Sequence, residues 1–230
     1  MRRLITAMVL MSLLAGVNPA SALTLSSVGG EWSNPTGGDP INYLYNQDAG
    51  GYGNNESDQI WWGVDVGNGQ SGLGFTGALG GTLVVGDAFE LGQLRHFNQP
   101  IEFGTHATAV DLTINLEFSD PSGLDDSFLF TFSINETLNS PTPQDDYILF
   151  PSSFPCESCT IGGTQYTLEL LGFGPDAGSL EGQFQSPEGG TNRTLLWARI
   201  TTRPIPAPGA LLLGAMGTGL IGWLRRRRAL

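Results

Sequence analysis

Two cysteines are the first residues whose type and spacing suggest a chemistry. Cys156 and Cys159 form a Cys-x-x-Cys pair and are the only two cysteines of the 230-residue chain. In an exported protein, which the chain ends discussed below indicate, such a pair closes a local disulfide. The alternative, a redox-active pair, uses a helix N-terminus within a βαβ unit, and no such pattern surrounds these cysteines. The sequence therefore predicts a disulfide between Cys156 and Cys159.

A short acidic turn offers hard oxygen ligands. It contains Asp120, Ser122, Asp125 and Asp126, and carboxylate and hydroxyl oxygens of this kind bind calcium. Their spacing is not that of an EF-hand loop, so a solvated acidic turn is the competing interpretation. Calcium held by this turn is the one cofactor that the sequence suggests.

A His-x-Asn pair places two polar side chains on one face of a predicted strand. His96 and Asn98 are two residues apart, and alternate residues of a strand share a face. They are expected to brace neighbouring backbone groups or to contact a ligand. A zinc site built with His106 and the two cysteines would have no recognised ligand spacing.

The sequence lacks the short motifs that are typical of serine hydrolases and of phosphate-binding enzymes. The chain has no G-x-S-x-G elbow and no phosphate-binding glycine loop. A glycosidase needs only two carboxylates about 5 to 10 Å apart, and a chain with 22 acidic residues provides many pairs, none of which stands out. We therefore assign no catalytic residue and expect a protein that is not an enzyme.

Charge is distributed unevenly along the chain. All 22 acidic residues lie within residues 31–188, where Arg95 is the only arginine or lysine, and Arg193, Arg199 and Arg203 follow. These 4 arginines against 22 acids give residues 23–203 a formal charge of −18. Because nucleic acids bind basic surfaces, this composition argues against a nucleic-acid partner.

Alternation of apolar and polar residues predicts an all-β body. Residues 110–118 alternate strictly, and residues 128–134 repeat the pattern. With turn residues between the segments and no helical period, we expect a β-sandwich, jelly-roll-like, of about 8 to 10 antiparallel strands. The other predicted strands are residues 59–66, 73–76, 88–94, 146–150, 165–171 and 194–201.

Hydrophobic segments flank this body at both ends. Residues 1–22 have a basic start, an apolar stretch and the small-residue sequence Ala20-Ser21-Ala22, which predicts a signal peptide cleaved after Ala22. Residues 204–230 contain a proline hinge, an uncharged segment at 209–224 and an arginine cluster at 225–228. The uncharged segment is long enough for a short transmembrane helix, and the arginines keep its end in the cytoplasm. The ectodomain is then residues 23–203.

The tail resembles the PEP-CTERM sorting signal of Gram-negative bacteria. That signal consists of a proline motif, an apolar helix and a terminal arginine cluster, here Pro206-Ala207-Pro208, residues 209–224, and Arg225, Arg226, Arg227 and Arg228. Ala207 stands where the commonest form has glutamate. The resemblance implies processing near this motif by an exosortase, an inner-membrane intermediate, and delivery to the cell surface or the extracellular matrix. A plain membrane anchor that is never cut is the alternative.

The body resembles the THxN family of PEP-CTERM proteins. Arg95 replaces the threonine of the naming motif, which reads Arg95-His96-Phe97-Asn98 here. The family has no assigned activity to carry over. The segments that support the resemblance, in order, are Gly30-Glu-Trp32-Ser-Asn34, Trp62-Gly63, Ser71-Gly-Leu-Gly-Phe75-Thr-Gly77, His96-Phe-Asn98-Gln-Pro100-Ile, Asn135-Glu-Thr137-Leu-Asn139 and Ala198-Arg-Ile-Thr201.

These observations together predict a structural or adhesive protein of the bacterial surface or matrix, associated with exopolysaccharide or biofilm. An exported carbohydrate- or calcium-binding module is the second hypothesis, and a secreted hydrolase is the third. Aromatic side chains exposed on a sheet face favour sugar binding, because flat apolar sugar faces stack on rings. The candidates are Trp61, Trp62 and Trp197, for which burial in the core is the competing interpretation.

Overall fold

The computed structural model describes residues 22–47, 58–122, 124, 126–137, 144–151, 158–161 and 163–205. Within these residues all regular structure is β-strand, in thirteen strands. The strands are β1 (Ala22–Gly37), β2 (Ile41–Leu44), β3 (Gln59–Trp62), β4 (Ser71–Gly77), β5 (Leu79–Val84), β6 (Ala88–Asn98), β7 (Ala107–Asp120), β8 (Asp126–Asn135), β9 (Asp146–Leu149), β10 (Ser158–Ile161), β11 (Thr164–Phe173), β12 (Gln183–Ser186) and β13 (Gly190–Pro204).

The strands form two antiparallel sheets. The smaller sheet has the order β12-β9-β8-β7-β1-β5, and the larger sheet has the order β10-β11-β13-β6-β4-β3-β2. Both sheets contribute to one hydrophobic core, as expected when each has one apolar face to bury. The predicted all-β, sandwich-like class is confirmed.

Strict alternation in sequence translates into one buried face in the structure. On β7, Val110, Leu112, Ile114 and Leu116 are buried, and their polar neighbours point outward. On β8 the even-numbered residues 128–134 face β7 in register and are buried in the same way. Each fully buried side chain of this size stabilises the fold by about 1.5–3 kcal/mol relative to an exposed one.

The structure has thirteen strands, whereas the sequence predicted about 8 to 10, and five of the observed strands were not among the predicted segments. The largest of them is β1, which lies between β7 and β5 and contains the dipeptide Gly29-Gly30. Glycines usually indicate a turn, but here they allow close packing, since a Cβ on Gly30 would lie 2.2 Å from Cδ1 of Phe75. The strands β2, β5, β10 and β12 are short or exposed and carry little apolar pattern.

The predicted strand at residues 59–66 is wrong at its C-terminal half. Strand β3 ends at Trp62, because Gly63 has a positive φ of 84° and Ile101 packs against it. The carboxylate of Asp65 then accepts hydrogen bonds from the backbone N–H groups of Gly67, Asn68 and Gly69, which lowers its pKa. This segment is an Asx-type turn rather than a strand.

The chain changes sheets at a corner with almost no linker. Strand β4 ends at Gly77 in the larger sheet and β5 begins at Leu79 in the smaller one, so that the chain passes directly over β1. A Cβ on Gly77 would lie 1.8 Å from the carbonyl oxygen of Val28, and one on Gly80 would lie 2.3 Å from that of Ser26. The corner therefore requires residues without side chains.

Both flanking segments lie outside the described residues. They are the signal peptide, of which only Ala22 is described, and the tail from residue 206, with the predicted transmembrane helix. Strand β13 continues to Pro204, and the N–H of Ile205 still donates to the carbonyl of Gly163 at 2.6 Å. In the part of the chain that is described, no helix has the length and apolarity needed to cross a bilayer.

Candidate functional site

The outer face of the larger sheet carries a group of aromatic and basic side chains. We call Trp61, Arg95, Phe97 and Arg193 the arginine–aromatic face; they lie on β3, β6 and β13, with β4 between β3 and β6. The face follows from alternation, since Leu94, His96 and Asn98 on β6 point into the core and Arg95 and Phe97 point away from it.

Trp61 reaches across β4 to stack on Phe97. The two ring centroids are 4.3 Å apart and the rings are nearly parallel, at 19°. The indole can lie there because the residue between them is Gly72, where a Cβ would be 3.1 Å from the Trp61 ring. The Trp61 N–H donates to the side-chain oxygen of Gln59 at 3.1 Å, which fixes the ring orientation. Both rings are half-buried and remain accessible from outside.

Arg95 and Arg193 lie directly opposite each other on β6 and β13. The guanidinium carbon of Arg95 lies 5.3 Å from the Phe97 ring centroid, a cation–π distance. Partial burial lowers the pKa of Arg95, and the positive charge of Arg193 lowers it further. Nε and Nη2 of Arg95 are shielded from solvent, so Arg193 carries the exposed charge of this pair.

All four arginines of the body lie on this same side of the larger sheet. On β13 the odd-numbered positions point outward, which places Arg199 and Arg203 on the side of Arg193. Arg199 is neutralised by Glu169 on β11, at 2.6 Å. Arg193 is exposed, and no ion pair joins it to a carboxylate of the described residues. The cations of a strongly acidic body are therefore concentrated on one surface.

An open depression adjoins Arg193. It has a volume of about 360 Å³ and is lined by Gln93, Pro175, Arg193, Thr194 and Leu195. A second depression, of about 230 Å³, shares Pro175 and Thr194 with it. The surface beside the arginine pair is thus recessed and offers side-chain amide and hydroxyl groups.

A second group of polar residues is buried between the sheets at one end of the molecule. We call it the polar end: Glu136 after β8, Asp146 at the start of β9, Glu188 after β12, and His96 and Asn98 on β6. The carboxyl oxygens of Glu136 and Glu188 and Oδ2 of Asp146 are shielded from solvent and have no hydrogen-bond partner among the described residues. Three short segments of the family resemblance, around Trp62, His96 and Glu136, meet at this place.

Burial and mutual repulsion raise the pKa values of these acids. Desolvation, followed by the charges of Asp146 and Glu188, raises the pKa of Glu136 to about 8, and the Trp62 indole N–H opposes the rise without reaching hydrogen-bond geometry. Desolvation and the charge of Asp146 raise the pKa of Glu188 to about 7. The pKa of Asp146 is raised by burial, although Thr137 donates two hydrogen bonds to its Oδ1. At neutral pH Glu136 therefore keeps its proton.

The His-x-Asn pair contributes to this end in two ways. Asn98 braces the backbone, because its side-chain N–H donates to the carbonyl of Ser186 at 2.8 Å. His96 is fully buried against Trp62, with ring centroids 6.2 Å apart, and burial lowers its pKa to about 3. Neither ring nitrogen of His96 has a hydrogen-bond partner among the described residues. This neutral histidine is thus part of the packed interior.

The polar end is not arranged as a catalytic cleft. Its carboxyl oxygens are closed off from solvent, so a polymer substrate cannot reach them in this conformation. Among the described residues no three histidine, cysteine or acidic side chains are grouped so as to hold a metal ion. We therefore take the arginine–aromatic face as the candidate functional surface, because Arg193 is exposed there and the rings of Trp61 and Phe97 are half-buried.

The predicted calcium turn is only partly described. Asp120 ends β7, Ser122 follows in the turn, and Asp126 begins β8, where its carboxylate accepts a hydrogen bond from the N–H of Ser127. Asp125 lies outside the described residues. The described members form no metal-holding group, and calcium binding at this turn stays a prediction.

The cysteine pair is also only partly described. Cys159 lies on β10 and packs beside the core, without a disulfide to any described residue, and burial raises its pKa. Cys156 lies outside the described residues. We keep the disulfide as a prediction.

Mass spectrometry of the exported, unreduced protein should find Cys156 linked to Cys159 in one peptide that is 2 Da lighter than its reduced form. Alkylation of both thiols without prior reduction would contradict it.

Two of the three tryptophans considered for sugar binding lie on the outer face of the larger sheet. Trp61 and Trp197 are half-buried there, with the Trp197 N–H donating to the carbonyl of Gly174 at 3.0 Å. Trp62 is fully buried, as the competing interpretation held. Phe97, Arg95 and Arg193 were not predicted as members of one surface site, because only strand pairing places Arg193 beside Arg95, about 100 positions away in the chain.

Fold and surface together define an all-β, two-sheet protein with an accessible face of aromatic and basic side chains. Protein-family models gave no match to this chain, and a search of curated proteins gave none either. The residues and their geometry therefore carry the functional proposal.

Proposed function

We propose that this chain is an exported cell-surface or extracellular-matrix protein of a Gram-negative bacterium, with a structural or adhesive role in an exopolysaccharide-rich layer. The observation that carries the proposal is the arginine–aromatic face, where two stacked, half-buried rings lie near the exposed Arg193 on a body whose formal charge is −18. Stacked rings beside charged donors are suited to saccharide recognition. The polysaccharide is the proposed partner.

The placement of the strands supports the proposed processing. Cleavage after Ala22 would remove only Ala22 from the described part of β1 and would keep Leu23, the first residue of this strand that is buried in the core. Strand β13 ends at Pro204, directly before the Pro206-Ala207-Pro208 motif. A signal peptide of residues 1–22, an ectodomain of residues 23–203 and a PEP-CTERM-like tail of residues 204–230 fit these limits.

Membership of the THxN family of PEP-CTERM proteins is part of this proposal, as is the jelly-roll-like form of the sandwich. Among the described strands, seven connections cross between the sheets and five join neighbours in one sheet, so the topology mixes crossovers with hairpins. An exported carbohydrate-binding module is the second candidate, and it is favoured by the same exposed rings, Trp61 and Phe97.

The sorting tail is tested by deletion. Removing residues 209–224 eliminates the apolar segment that favours the membrane, so we expect most of the protein to move from the membrane and surface fractions to the soluble periplasm or medium. Immunoblots of cell fractions and antibody labelling of intact cells measure this change. Replacing the same residues by an unrelated apolar segment is the matched control and should restore membrane association; surface retention without any such segment would refute the anchor.

Processing is measured on the wild-type chain. If an exosortase-type enzyme cuts the tail, the surface protein should end near residues 206–208 and lack Trp223 in C-terminal mass mapping. An intact Leu230 terminus on surface protein would exclude processing and support the plain membrane anchor.

A further inference from the structure

Strand β5 forms an open edge of the smaller sheet. It pairs with β1 along one side, from Val84 opposite Ala22 to Leu79 opposite Ser27, and no described strand lies along its other side. The backbone N–H and C=O groups of such an edge can pair with a further strand, so proteins usually protect edges with very short strands, charged side chains or proline. Strand β5 has none of these protections, because it is six residues long and contains neither proline nor a charged residue.

The other strands at the sheet edges, β2, β10 and β12, are four residues long each. Asp39 and Pro40 directly precede β2, and Glu181 and Glu188 flank β12. By contrast, no aspartate, glutamate, lysine or arginine occurs from residue 66 to residue 86, a range that includes β5. On a body whose formal charge is −18, β5 is thus an uncharged edge that a second body of the same charge can approach with less repulsion.

The side chains of β5 favour an occupant with an apolar side chain beside Leu79. This leucine is 85% exposed, more than any other large apolar residue in the described part of the chain. Alternate residues of a strand share a face, so Leu79 lies on the same face of β5 as Leu83, which packs against the core. A strand paired with this edge would extend the apolar face of the smaller sheet over Leu79.

A second copy of β5 meets this requirement. A two-fold axis perpendicular to the sheet pairs the two strands antiparallel and keeps each side chain on its own face. With Gly81 opposite Gly81 of the second copy, Leu79 of each copy lies opposite Leu83 of the other. Each exposed leucine then has an apolar cross-strand neighbour, the kind of pair that stabilises a sheet.

We propose that β5 pairs antiparallel with β5 of a second copy of this chain, with Gly81 at the two-fold axis, so that the two smaller sheets form one continuous sheet. This inference goes beyond the proposed function and does not depend on it. Because the pairing covers the open edge of both copies, the contact closes as a dimer rather than growing into a fibre.

The dimer places the C-terminal ends of the two bodies at opposite ends. Val84, at the end of β5, pairs with Ala22, and the N–H of Gly86 donates to the carbonyl of Ile200 near the end of β13. The end of β5 and the end of β13 therefore lie at one end of each body. Since the two-fold axis reverses the strand direction, the two copies leave the dimer in opposite directions, an arrangement that suits contact between facing surfaces.

Self-association is measured by sedimentation velocity of the purified exported protein, from about 1 µM to about 1 mM. One six-residue edge buries less than the roughly 1,600 Å² of a standard stable interface, so we expect a reversible dimer with a dissociation constant in the micromolar range or weaker. The association should strengthen as salt is raised, since salt screens the repulsion between two bodies of formal charge −18.

Gly81→Lys and Gly81→Glu are the decisive variants, because each places two like charges directly opposite each other at the two-fold axis. A Cβ at Gly81 meets no atom within 4 Å, so thermal unfolding of both variants should match wild type. Each variant alone should dimerise about fivefold more weakly than wild type. An equimolar mixture of the two should recover the association, since lysine then lies opposite glutamate.

Ser133→Lys is the matched control, an exposed position on β8, which lies between β7 and β9 in the same sheet. It adds the same charge as Gly81→Lys and should dimerise at least as well as wild type, because it lowers the net negative charge. Equal weakening by Ser133→Lys and Gly81→Lys would overturn the inference. A wild-type protein that stays monomeric at every concentration, or a mixture of the two Gly81 variants that fails to recover the dimer, would overturn it as well.

Discussion

Replacing Gly77 by alanine is expected to destabilise the protein by about 3 kcal/mol or more, since overpacking typically costs 1–3 kcal/mol and here the obstacle is backbone. The added Cβ would lie 1.8 Å from the Val28 carbonyl oxygen and 2.6 Å from its carbonyl carbon. Neither atom can move without separating β1 from its partners in the smaller sheet. Urea unfolding followed by tryptophan fluorescence measures the change in the free energy of unfolding.

Gly81→Ala is the matched control for this prediction. Gly81 lies four residues further along, on β5, and a Cβ there meets no atom within 4 Å. The control should change the free energy of unfolding by less than about 0.5 kcal/mol, as surface substitutions usually do. Similar losses in the two variants would show that general strand propensity, rather than the sheet corner, determines the effect.

The second large effect is a loss of stability between about pH 4.5 and pH 8 that depends on Glu136. The fold raises the pKa of this carboxyl from 4.5 to about 8, so between these values the folded protein binds more protons than the unfolded chain. The contribution of Glu136 to the free energy of unfolding is therefore fully present below about pH 4.5. It falls as the pH rises toward 8, by up to about 1.4 kcal/mol per pH unit. Above pH 8 the loss levels off.

Glu136→Gln removes the titrating group and keeps its shape. We expect this variant to match wild type near pH 5 and to be more stable by a few kcal/mol at pH 9, with a smaller residual slope because Glu188 and Asp146 also have raised pKa values. Glu102→Gln, at an exposed position, is the control and should follow the wild-type profile. Parallel profiles of wild type and Glu136→Gln between pH 5 and 9 would refute the assignment.

The local alternation of apolar and polar residues was sufficient to predict the strands that have one apolar face and one polar face. The alternating residues of β7 and β8 predicted both the strands and their buried sides, because a period of two in sequence is a period of two in space. The local pattern failed for β1, because its buried glycines resemble turn residues in the sequence. Their role in packing is visible only once the neighbouring strand is known. The pattern also failed at Gly63, where contact with Ile101 ends β3.

The candidate surface was beyond the reach of local pattern for a different reason. Trp61 was recognised as a possible sugar-stacking residue, but its partner Phe97 and the opposed arginines depend on the register of β3, β4, β6 and β13. Register is set by non-local pairing and side-chain packing, which a single sequence does not display. The same holds for the polar end, where acids from three separate strand ends meet.

Strand β13 has a mechanical consequence. It carries Arg193 near its start and leads at Pro204 into the tail, and it lies between β11 and β6. If a polysaccharide is held on the arginine–aromatic face and the chain is fixed at its C-terminal end, tension passes along the covalent backbone of this one strand. The part of the pulling force that acts on Arg95 or Trp61 would shear the backbone hydrogen bonds of β6 and β4. Many of these bonds would then share the force at the same time. The sandwich could then transmit pulling forces between matrix and cell without its two sheets being drawn apart.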